Sequence, residues 1–294
     1  MENTFDKHEK KAVQTVRFGP AGNDKLFYDQ GYKSSIQAPK WLREEMRLSA
    51  FEISCGRGIR MSTETAHKLR DEAKKYDIEL SVHAPYFINL ANPDALDKNY
   101  NYIESSIKLV NEMGGTRIVV HPASQGKLER DVALENTEDS LRTIIARLDA
   151  SGISNWLICL ETMGKYRTIG DYKEVAELCK IDDRLIPTVD FGHLNCLLQG
   201  EMKHNENKIP EIMNYLEEHI GIEKLKMLHI HWSAVEYSDK GEVRHTTLDD
   251  EKWNFSFLPL ARVIKEKGLS PIIICESSEI MAQDAKRLNE IFDS

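Results

Sequence analysis

The sequence predicts an α/β fold, a (β/α)8 or TIM barrel in a single domain, and three observations support the prediction. Short apolar segments alternate with amphipathic helical segments along the 294 residues. Eight apolar segments have strand character, which favours a closed barrel over an open, doubly wound sheet. Six of them end in a side chain that can bind a metal ion, and successive metal-binding positions lie 29 to 47 residues apart. One β-α unit with its loops has this length.

The eight strand candidates are short, rich in β-branched residues and apolar on both faces, as expected of parallel strands covered by helices. In chain order they span residues 15–19, 50–55, 79–84, 117–122, 156–161, 186–191, 226–232 and 271–277. The carboxyl ends of barrel strands converge on one face, which is where barrel enzymes place their chemistry. The groups at these ends are therefore expected to form one site.

Amphipathic segments between the strands predict helices over residues 63–76, 101–113, 138–150, 172–179, 209–220 and 257–267. The first has Ala66, Leu69 and Ala73 on one face and Ser62 as its N-cap. Gly114 ends the second. Residues 20–40 and 233–255 are predicted to be long loops, and loops of that length are often functional.

Composition indicates a cytoplasmic enzyme-sized domain. Residues 1–12 form a polar N-terminal lead-in without the apolar stretch of a signal peptide, and residues 13–294 form the barrel. No run of apolar residues is long enough to span a membrane. The five cysteines show no C-x-x-C spacing, so a reduced protein without disulfides is expected. The net charge of −9 argues against a nucleic-acid binder, unless carboxylates hold cations that dominate the local field.

The side chains at the strand ends suit a metal site. They are His83, His121, Glu161, Asp190 with His193, His229 with His231, and Glu276. Histidine nitrogens together with carboxylate oxygens suit zinc, manganese or iron better than magnesium. His229 and His231 are two apart on a strand and face the same side, so one is a ligand and the other a ligand or a donor that orients one. The alternative is a buried hydrogen-bond network at the barrel mouth.

A series of motifs resembles the endonuclease IV family of abasic-site (AP) endonucleases, within the xylose isomerase-like barrel superfamily. The most specific motif is V-H-A-P-Y-F-I-N-L at 82–90. The others, in the order of the family, are R-F-G-P-A-G near the start, C-G-R-G at 55–58, V-V-H-P at 119–122, L-E-T at 160–162, V-D-F-G-H at 189–193, L-H-I-H at 228–231, V-R-H at 243–245 and C-E at 275–276. The resemblance covers nearly the whole chain.

The resemblance implies a zinc-dependent phosphodiesterase of DNA base-excision repair. Such enzymes bind damaged double-stranded DNA, cleave 5′ to the abasic site through a metal-bound hydroxide and leave a 3′-hydroxyl. Two or three zinc ions are expected here, with manganese as an alternative. By motif, the first ion would be bound by His83 and His121, with Glu161 bridging to a second ion that Asp190, His229 and Glu276 complete, and a third would be bound by His193 and His245.

The same resemblance assigns further roles. Glu161 and Glu276 are the expected catalytic residues, with His231 as a further ligand or an orienting residue. Tyr86 would wedge into the DNA at the lesion, and Arg57 and Arg60 would contact DNA. A monomer is expected.

Two departures from the family pattern affect the third metal ion and the substrate. The family has D-R-H where this chain has V-R-H, and Val243 cannot coordinate a metal. The third ion would then be absent, weakly bound, or completed by His231, Asp239 or Glu242. The glycine-rich stretch that follows in the family is replaced by L-D-D-E-K-W-N-F at 248–255, where Trp253 or Phe255 would stack on bases or anchor the loop.

A second enzyme class fits the same strand ends. A sugar isomerase or epimerase of the barrel superfamily would use one divalent metal ion and a small polyol, with Glu161 and Glu276 as an acid–base pair. The number of bound ions separates the two hypotheses. A non-catalytic metal-binding protein would leave the strand-end ligands unexplained.

Overall fold

The structure, a computed structural model, describes residues 15–294. Its strands are β1 Arg17–Pro20, β2 Ala50–Ser54, β3 Glu79–His83, β4 Arg117–Val120, β5 Ala123–Ser124, β6 Leu157–Glu161, β7 Thr168–Ile169, β8 Leu185–Asp190, β9 His229–Trp232, β10 Val235–Ser238, β11 Gly241–His245 and β12 Ile272–Cys275. The lead-in expected over residues 1–12 lies outside the described residues.

The helices cover most of the intervals between the strands. They are α1 Lys25–Asp29, α2 Ala38–Trp41, α3 Thr63–Tyr76, α4 Leu96–Glu112, α5 Arg130–Ala150, α6 Tyr172–Cys179, α7 Phe191–Leu197, α8 Lys208–Ile220, α9 Ile222–Lys226, α10 Leu258–Lys267 and α11 Met281–Asp293. Ser62 caps α3 as expected, since its side chain accepts a hydrogen bond from Thr65 N. None of the described helices has both the length and the apolarity needed to cross a membrane.

Eight of the strands form one parallel sheet, and the predicted TIM barrel is confirmed. The order in the sheet is β1-β12-β9-β8-β6-β4-β3-β2, so the barrel strands follow one another in chain order around the ring. The two ends of this sheet approach each other where Ser49 N donates to Phe18 O at 2.9 Å. Gly19 permits that approach, because a Cβ there would lie 1.8 Å from Ala50 O. The barrel is therefore nearly closed.

Both predicted long loops contain ordered elements. The stretch 20–40 contains α1 and most of α2, and both Phe27 within it and Trp41 directly after it are buried. The stretch 233–255 contains the antiparallel hairpin β10–β11. This hairpin follows the carboxyl end of β9, so it belongs to the face on which the strand-end ligands converge.

The barrel interior is apolar on some strands and polar on others. Val119, Cys159 and Ile186 form a small apolar cluster inside it. A polar layer on other strands consists of Glu52, Ser81, His229 and His231, all buried. All five cysteines of the chain are also buried and free. An apolar layer would be enough to fill a barrel, so the polar layer needs another explanation.

Candidate metal centre

A cavity of about 730 Å³ opens at the carboxyl ends of the barrel strands. Its walls contain side chains from separate strands and from the hairpin β10–β11. Those with metal-binding groups are Glu52, His83, His121, Glu161, His193, Glu242, His245 and Glu276. The structure thus brings most of the ligands expected from the sequence into one cavity.

His83, His121 and Glu161 form the first cluster. The Nε2 atoms of His83 and His121 lie 3.1 and 3.0 Å from Glu161 Oε2. His83 Nδ1 donates to Ala84 O at 3.0 Å, so Nε2 is the nitrogen that faces the ligand position. The three side chains come from β3, from the residue after β4 and from the last residue of β6, three neighbouring strands. This grouping agrees with the expectation from the motifs.

Glu161, Asp190, His231 and Glu276 form the second cluster, with one potential ligand atom of each within 4.8 Å of the others. His231 Nδ1 lies 3.3 Å from Glu161 Oε1 and 3.5 Å from Glu276 Oε2. Asp190 Oδ1 accepts from His193 N, whereas its Oδ2 is buried without a hydrogen-bond partner. Three carboxylates this close repel one another unless positive charge lies between them.

The structure places His231, rather than His229, in the second cluster. The motif assigned the ligand role to His229, but this residue lies one β repeat deeper in the barrel. His229 Nε2 is 3.0 Å from Glu52 Oε2, and the ring is fully buried. Both rings point into the barrel, as their spacing predicts. Of the two, His231 is nearer the carboxyl end of β9 and reaches the cluster.

The third cluster contains His193, Glu242 and His245. His193 Nδ1 donates to Thr162 O at 2.9 Å, and its Nε2 lies 3.6 Å from Glu242 Oε2. His245 Nδ1 pairs with Ser233 Oγ at 2.9 Å. In both rings the other nitrogen, Nε2, is thereby left for a ligand. Glu242 thus supplies the carboxylate at the position where the V-R-H motif lacks the aspartate of the family.

A bulge in the hairpin explains how Glu242 replaces that aspartate. Tyr237 pairs with Glu242 and the adjacent Glu236 pairs with Arg244, so Val243 has no partner on β10. An extra residue of this kind changes the direction of the side chains that precede it. Val243 is accordingly 53% exposed, and Glu242 turns into the cavity.

Burial and neighbouring charges set the protonation of the cluster. Burial raises the pKa of Glu161, but the opposing effect of His121 and His231 is larger. The pKa of Glu161 therefore lies well below its usual range. Burial opposes the ionisation of Glu276 too, but His231 holds its pKa at about 2. Asp190 differs, because burial and the neighbouring carboxylates raise its pKa despite His193. The carboxylates of Glu161 and Glu276 are ionised and can bind cations.

The donor set fits metal ions. The three clusters contain imidazole nitrogen and carboxylate oxygen in groups of three or four, which are the ligands and numbers typical of zinc sites. Glu52, His229 and His231 form a fourth group of this kind deeper in the barrel. Asp190 Oδ2 is buried without a hydrogen-bond partner, which fits a metal ligand better than a member of a complete hydrogen-bond network.

The residues expected to contact DNA lie around this cavity. Tyr86 is 52% exposed and stacks on the His121 ring at a centroid distance of 5.1 Å. Arg57 and Arg60 are exposed on the loop after β2. Phe255, by contrast, is buried against Trp232, which favours loop anchoring over base stacking. Trp253 packs on Tyr237 of the hairpin at 4.7 Å and anchors it as well.

The motifs do not identify two acidic residues that lie near the centre. Glu242 was one of three candidates to complete the third site, and the bulge that selects it leaves no clear sequence signal. Glu52 belongs to none of the motifs. Its signal is a carboxylate in the apolar strand segment A-F-E-I-S at 50–54, where a charged side chain is unusual.

Comparisons with known proteins agree with this architecture. Residues 44–291 match the model of the xylose isomerase-like TIM barrel family. The chain is 31% identical over 235 residues to an uncharacterized protein of Methanocaldococcus jannaschii, covering 79% of this chain and 83% of the relative. It is 28% identical over 206 residues to the probable endonuclease 4 of Mycoplasma pneumoniae, covering 68% of each. The resemblance expected from the motifs is confirmed.

Solved structures of two kinds share the fold. Endonuclease IV from Thermus thermophilus matches with a TM-score of 0.66 and 18% identity, covering 94% of this chain and 99% of that one. A D-tagatose 3-epimerase-like protein matches with a TM-score of 0.61 and 22% identity, covering 95% and 96%. At such identities the likeness is one of fold, and both enzyme classes expected from the sequence have this fold.

Proposed function

The chain belongs to the xylose isomerase-like TIM barrel family, and from this premise we propose that it is a zinc-dependent endodeoxyribonuclease of the endonuclease IV type. It would cleave damaged double-stranded DNA on the 5′ side of abasic sites and leave a 3′-hydroxyl, as a step of base-excision repair. The observation that supports this best is the presence of three neighbouring ligand clusters, two of which share Glu161, since an isomerase would need only one.

The proposed ligands are assigned by cluster. His83, His121 and Glu161 would hold the first ion, and Glu161, Asp190, His231 and Glu276 the second. His193, Glu242 and His245 would hold the third. Bound zinc ions, or manganese in their place, would supply a hydroxide nucleophile near neutral pH and positive charge to stabilise the phosphate in the transition state.

Glu161 and Glu276 are the residues on which activity should depend most. Glu161 touches groups of the first two clusters, and its two oxygens face different histidines, His83 and His121 on one side and His231 on the other. Glu276 Oε2 lies between His231 and His245, at 3.5 and 4.0 Å. The two carboxylates therefore fix the spacing of the whole centre.

Around the cavity, Tyr86 would insert at the lesion. Its ring is exposed at the edge of the cavity and held by His121 and by the Tyr86 N–Gly56 O hydrogen bond of 3.1 Å. A duplex that lacks a base is easy to distort, so a wedge there costs little. Arg57 and Arg60 would contact phosphates from the adjacent loop. We further propose that the protein acts as a monomer in the cytoplasm.

A sugar epimerase is the second candidate. The Glu161, Asp190, His231 and Glu276 cluster could hold a single ion, and the fold is shared with a D-tagatose 3-epimerase-like protein. Glu161 and Glu276 would then act as the acid–base pair that exchanges protons with a small polyol.

Incision of a duplex oligonucleotide with one tetrahydrofuran abasic-site analogue tests the proposal. Zinc-loaded protein should cut on the 5′ side, prolonged chelation should abolish the cut, and zinc should restore it. An undamaged duplex of the same sequence is the control. Protein with two or three zinc ions that leaves the abasic strand intact would refute the proposal, and epimerisation of a ketohexose by the same sample would establish the second candidate.

A further inference from the structure

Glu52 is a fully buried carboxylate that neither enzyme mechanism uses. It lies on β2 and points into the barrel, beneath the second cluster. Ser81 Oγ on the adjacent strand donates to Glu52 Oε2 at 2.7 Å. The remaining charged neighbours, His229 and His231, lie on β9, which is not adjacent to β2 in the sheet. Glu52 therefore crosses the barrel interior to reach them.

The orientation of His231 differs from that of the other histidines in the centre. His83, His193 and His245 each use Nδ1 for a backbone carbonyl or a hydroxyl, so Nε2 faces the ligand position. His231 is reversed, with Nδ1 among Glu161 and Glu276. Its Nε2 faces Glu52 Oε1 at 3.2 Å. Both atoms are buried and neither makes a hydrogen bond to any described residue, so each is the partner that is available to the other.

A metal-binding histidine usually donates its second ring N–H to a carboxylate or carbonyl, which fixes the tautomer and the direction of the ring. Backbone carbonyls satisfy this need for His83 and His193. In the middle of a strand no such carbonyl is free, because the ladder uses it. The carboxylate of Glu52 occupies the corresponding position for His231.

We propose that Glu52 is a positioning residue that accepts the Nε2 proton of His231 and thereby directs Nδ1 to the metal ion of the second cluster. The inference rests on the proposed metal centre, whichever of the two reactions it catalyses. His229 Nε2, at 3.0 Å from Glu52 Oε2, and Ser81 hold the carboxylate from the other side. This explains why a barrel layer otherwise filled by apolar side chains is polar here.

The test measures zinc, and it needs no DNA. In the zinc-loaded full chain, Glu52→Gln should release one ion to a chelator about 10- to 100-fold faster than wild type, while the other ions leave at unchanged rates. The cobalt-substituted variant should show an altered visible spectrum. Glu174→Gln is the matched control, because Glu174 is a buried carboxylate that pairs with Arg130 and with the backbone of residues 170 and 171, none of which belongs to a cluster. It should release zinc as wild type does.

Release rates and cobalt spectrum equal to wild type in Glu52→Gln would overturn the proposal, and a lower melting temperature alone would show a structural role. If this variant does not fold, nitrogen-15 histidine spectra of zinc-loaded wild type decide. The proposal requires His231 to carry its proton on Nε2, and a proton-free Nε2 would refute it. If the protein does not incise DNA but shows these effects on zinc release, the proposed function is refuted and the proposed role of Glu52 stands.

Discussion

The two sides of the metal centre are built differently. On one side the ligands are at barrel strand ends, as with His83, Glu161 and Asp190, which are nearly or fully buried. On the other side, Glu242 and His245 lie on a hairpin that projects from the barrel, and both are partly exposed. The barrel fixes its strand ends through hydrogen bonds on both sides, whereas the hairpin position depends on one bulge. Ligand geometry should therefore tolerate change less well on the strand side.

The largest loss of activity is expected at Glu161, the strand-side residue that belongs to two clusters. Glu161→Gln removes a carboxylate shared by two clusters, at 3.0–3.3 Å from three histidines. Because metal ions supply several kcal/mol of transition-state stabilisation, turnover should fall by on the order of 1,000-fold or more. Initial rates on the abasic duplex measure this. Unchanged turnover would contradict both enzyme assignments.

A smaller loss is expected on the hairpin side. Glu242→Gln should lower the zinc content by one ion, because it removes the only carboxylate of the third cluster. Incision should fall by no more than roughly 10- to 100-fold, because the first two clusters keep all their ligands. Val243→Ala, a change at the exposed residue next to it, should alter neither quantity. Adding Val243→Asp to Glu242→Gln should restore nothing, because the bulge directs position 243 outward. Recovery of the ion in the double variant would show that the hairpin can change register.

The edge of the cavity should show a weaker contrast. Tyr86→Ala on the strand side removes an exposed ring and should weaken binding of the abasic duplex by about 1 kcal/mol, roughly fivefold in Kd. Trp253→Ala on the hairpin side removes a ring packed on Tyr237, so it should lower the melting temperature and leave the Kd nearly unchanged. Fluorescence anisotropy and thermal unfolding measure the pair. Equal increases in Kd for Tyr86→Ala and Trp253→Ala would mean that the DNA contacts both the strand side and the hairpin side of the cavity.

The smallest effect concerns the charged loops. Arg57→Gln should reduce the slope of log K against log salt by about 1, as the loss of one phosphate contact does. Arg244 on the hairpin is paired with Glu236 at 2.7 Å, so Arg244→Gln should change the slope less. Binding titrations at several salt concentrations compare the two. A larger change in slope for Arg244→Gln than for Arg57→Gln would mean that the hairpin, rather than the loop after β2, contacts the DNA phosphates.

The barrel strands, two of its helices and the ligands at the strand ends could be predicted from the sequence. The helices at Thr63–Tyr76 and Tyr172–Cys179 begin and end where their patterns indicated, and each predicted strand overlaps an observed one. This succeeds because buried parallel strands need continuous apolar segments and because barrel strand ends must converge. The position of His83, His121 and Glu161 in one cluster follows from the same geometry.

The ligand on the hairpin, and the depth at which individual side chains lie inside the barrel, could not be predicted. A bulge depends on pairing between β10 and β11, and a single sequence does not show which residue lacks a partner, so Glu242 remained one of three candidates. The choice between His229 and His231 depends on how far β9 extends toward the cavity. The motif spacing leaves a two-residue uncertainty there. Glu52 interacts across the barrel, between strands that are distant in the chain.

The buried cysteines make the protein suited to site-specific labelling. Burial raises the pKa of Cys55 and Cys159 to about 11 and that of Cys275 to about 12, so these thiols stay protonated and inaccessible at neutral pH. Burial raises the pKa of Cys179 and Cys196 in the same direction. A cysteine introduced by Val243→Cys would then be the thiol that a maleimide dye reaches first. Its fluorescence could follow the motion of the hairpin without modification of the native thiols.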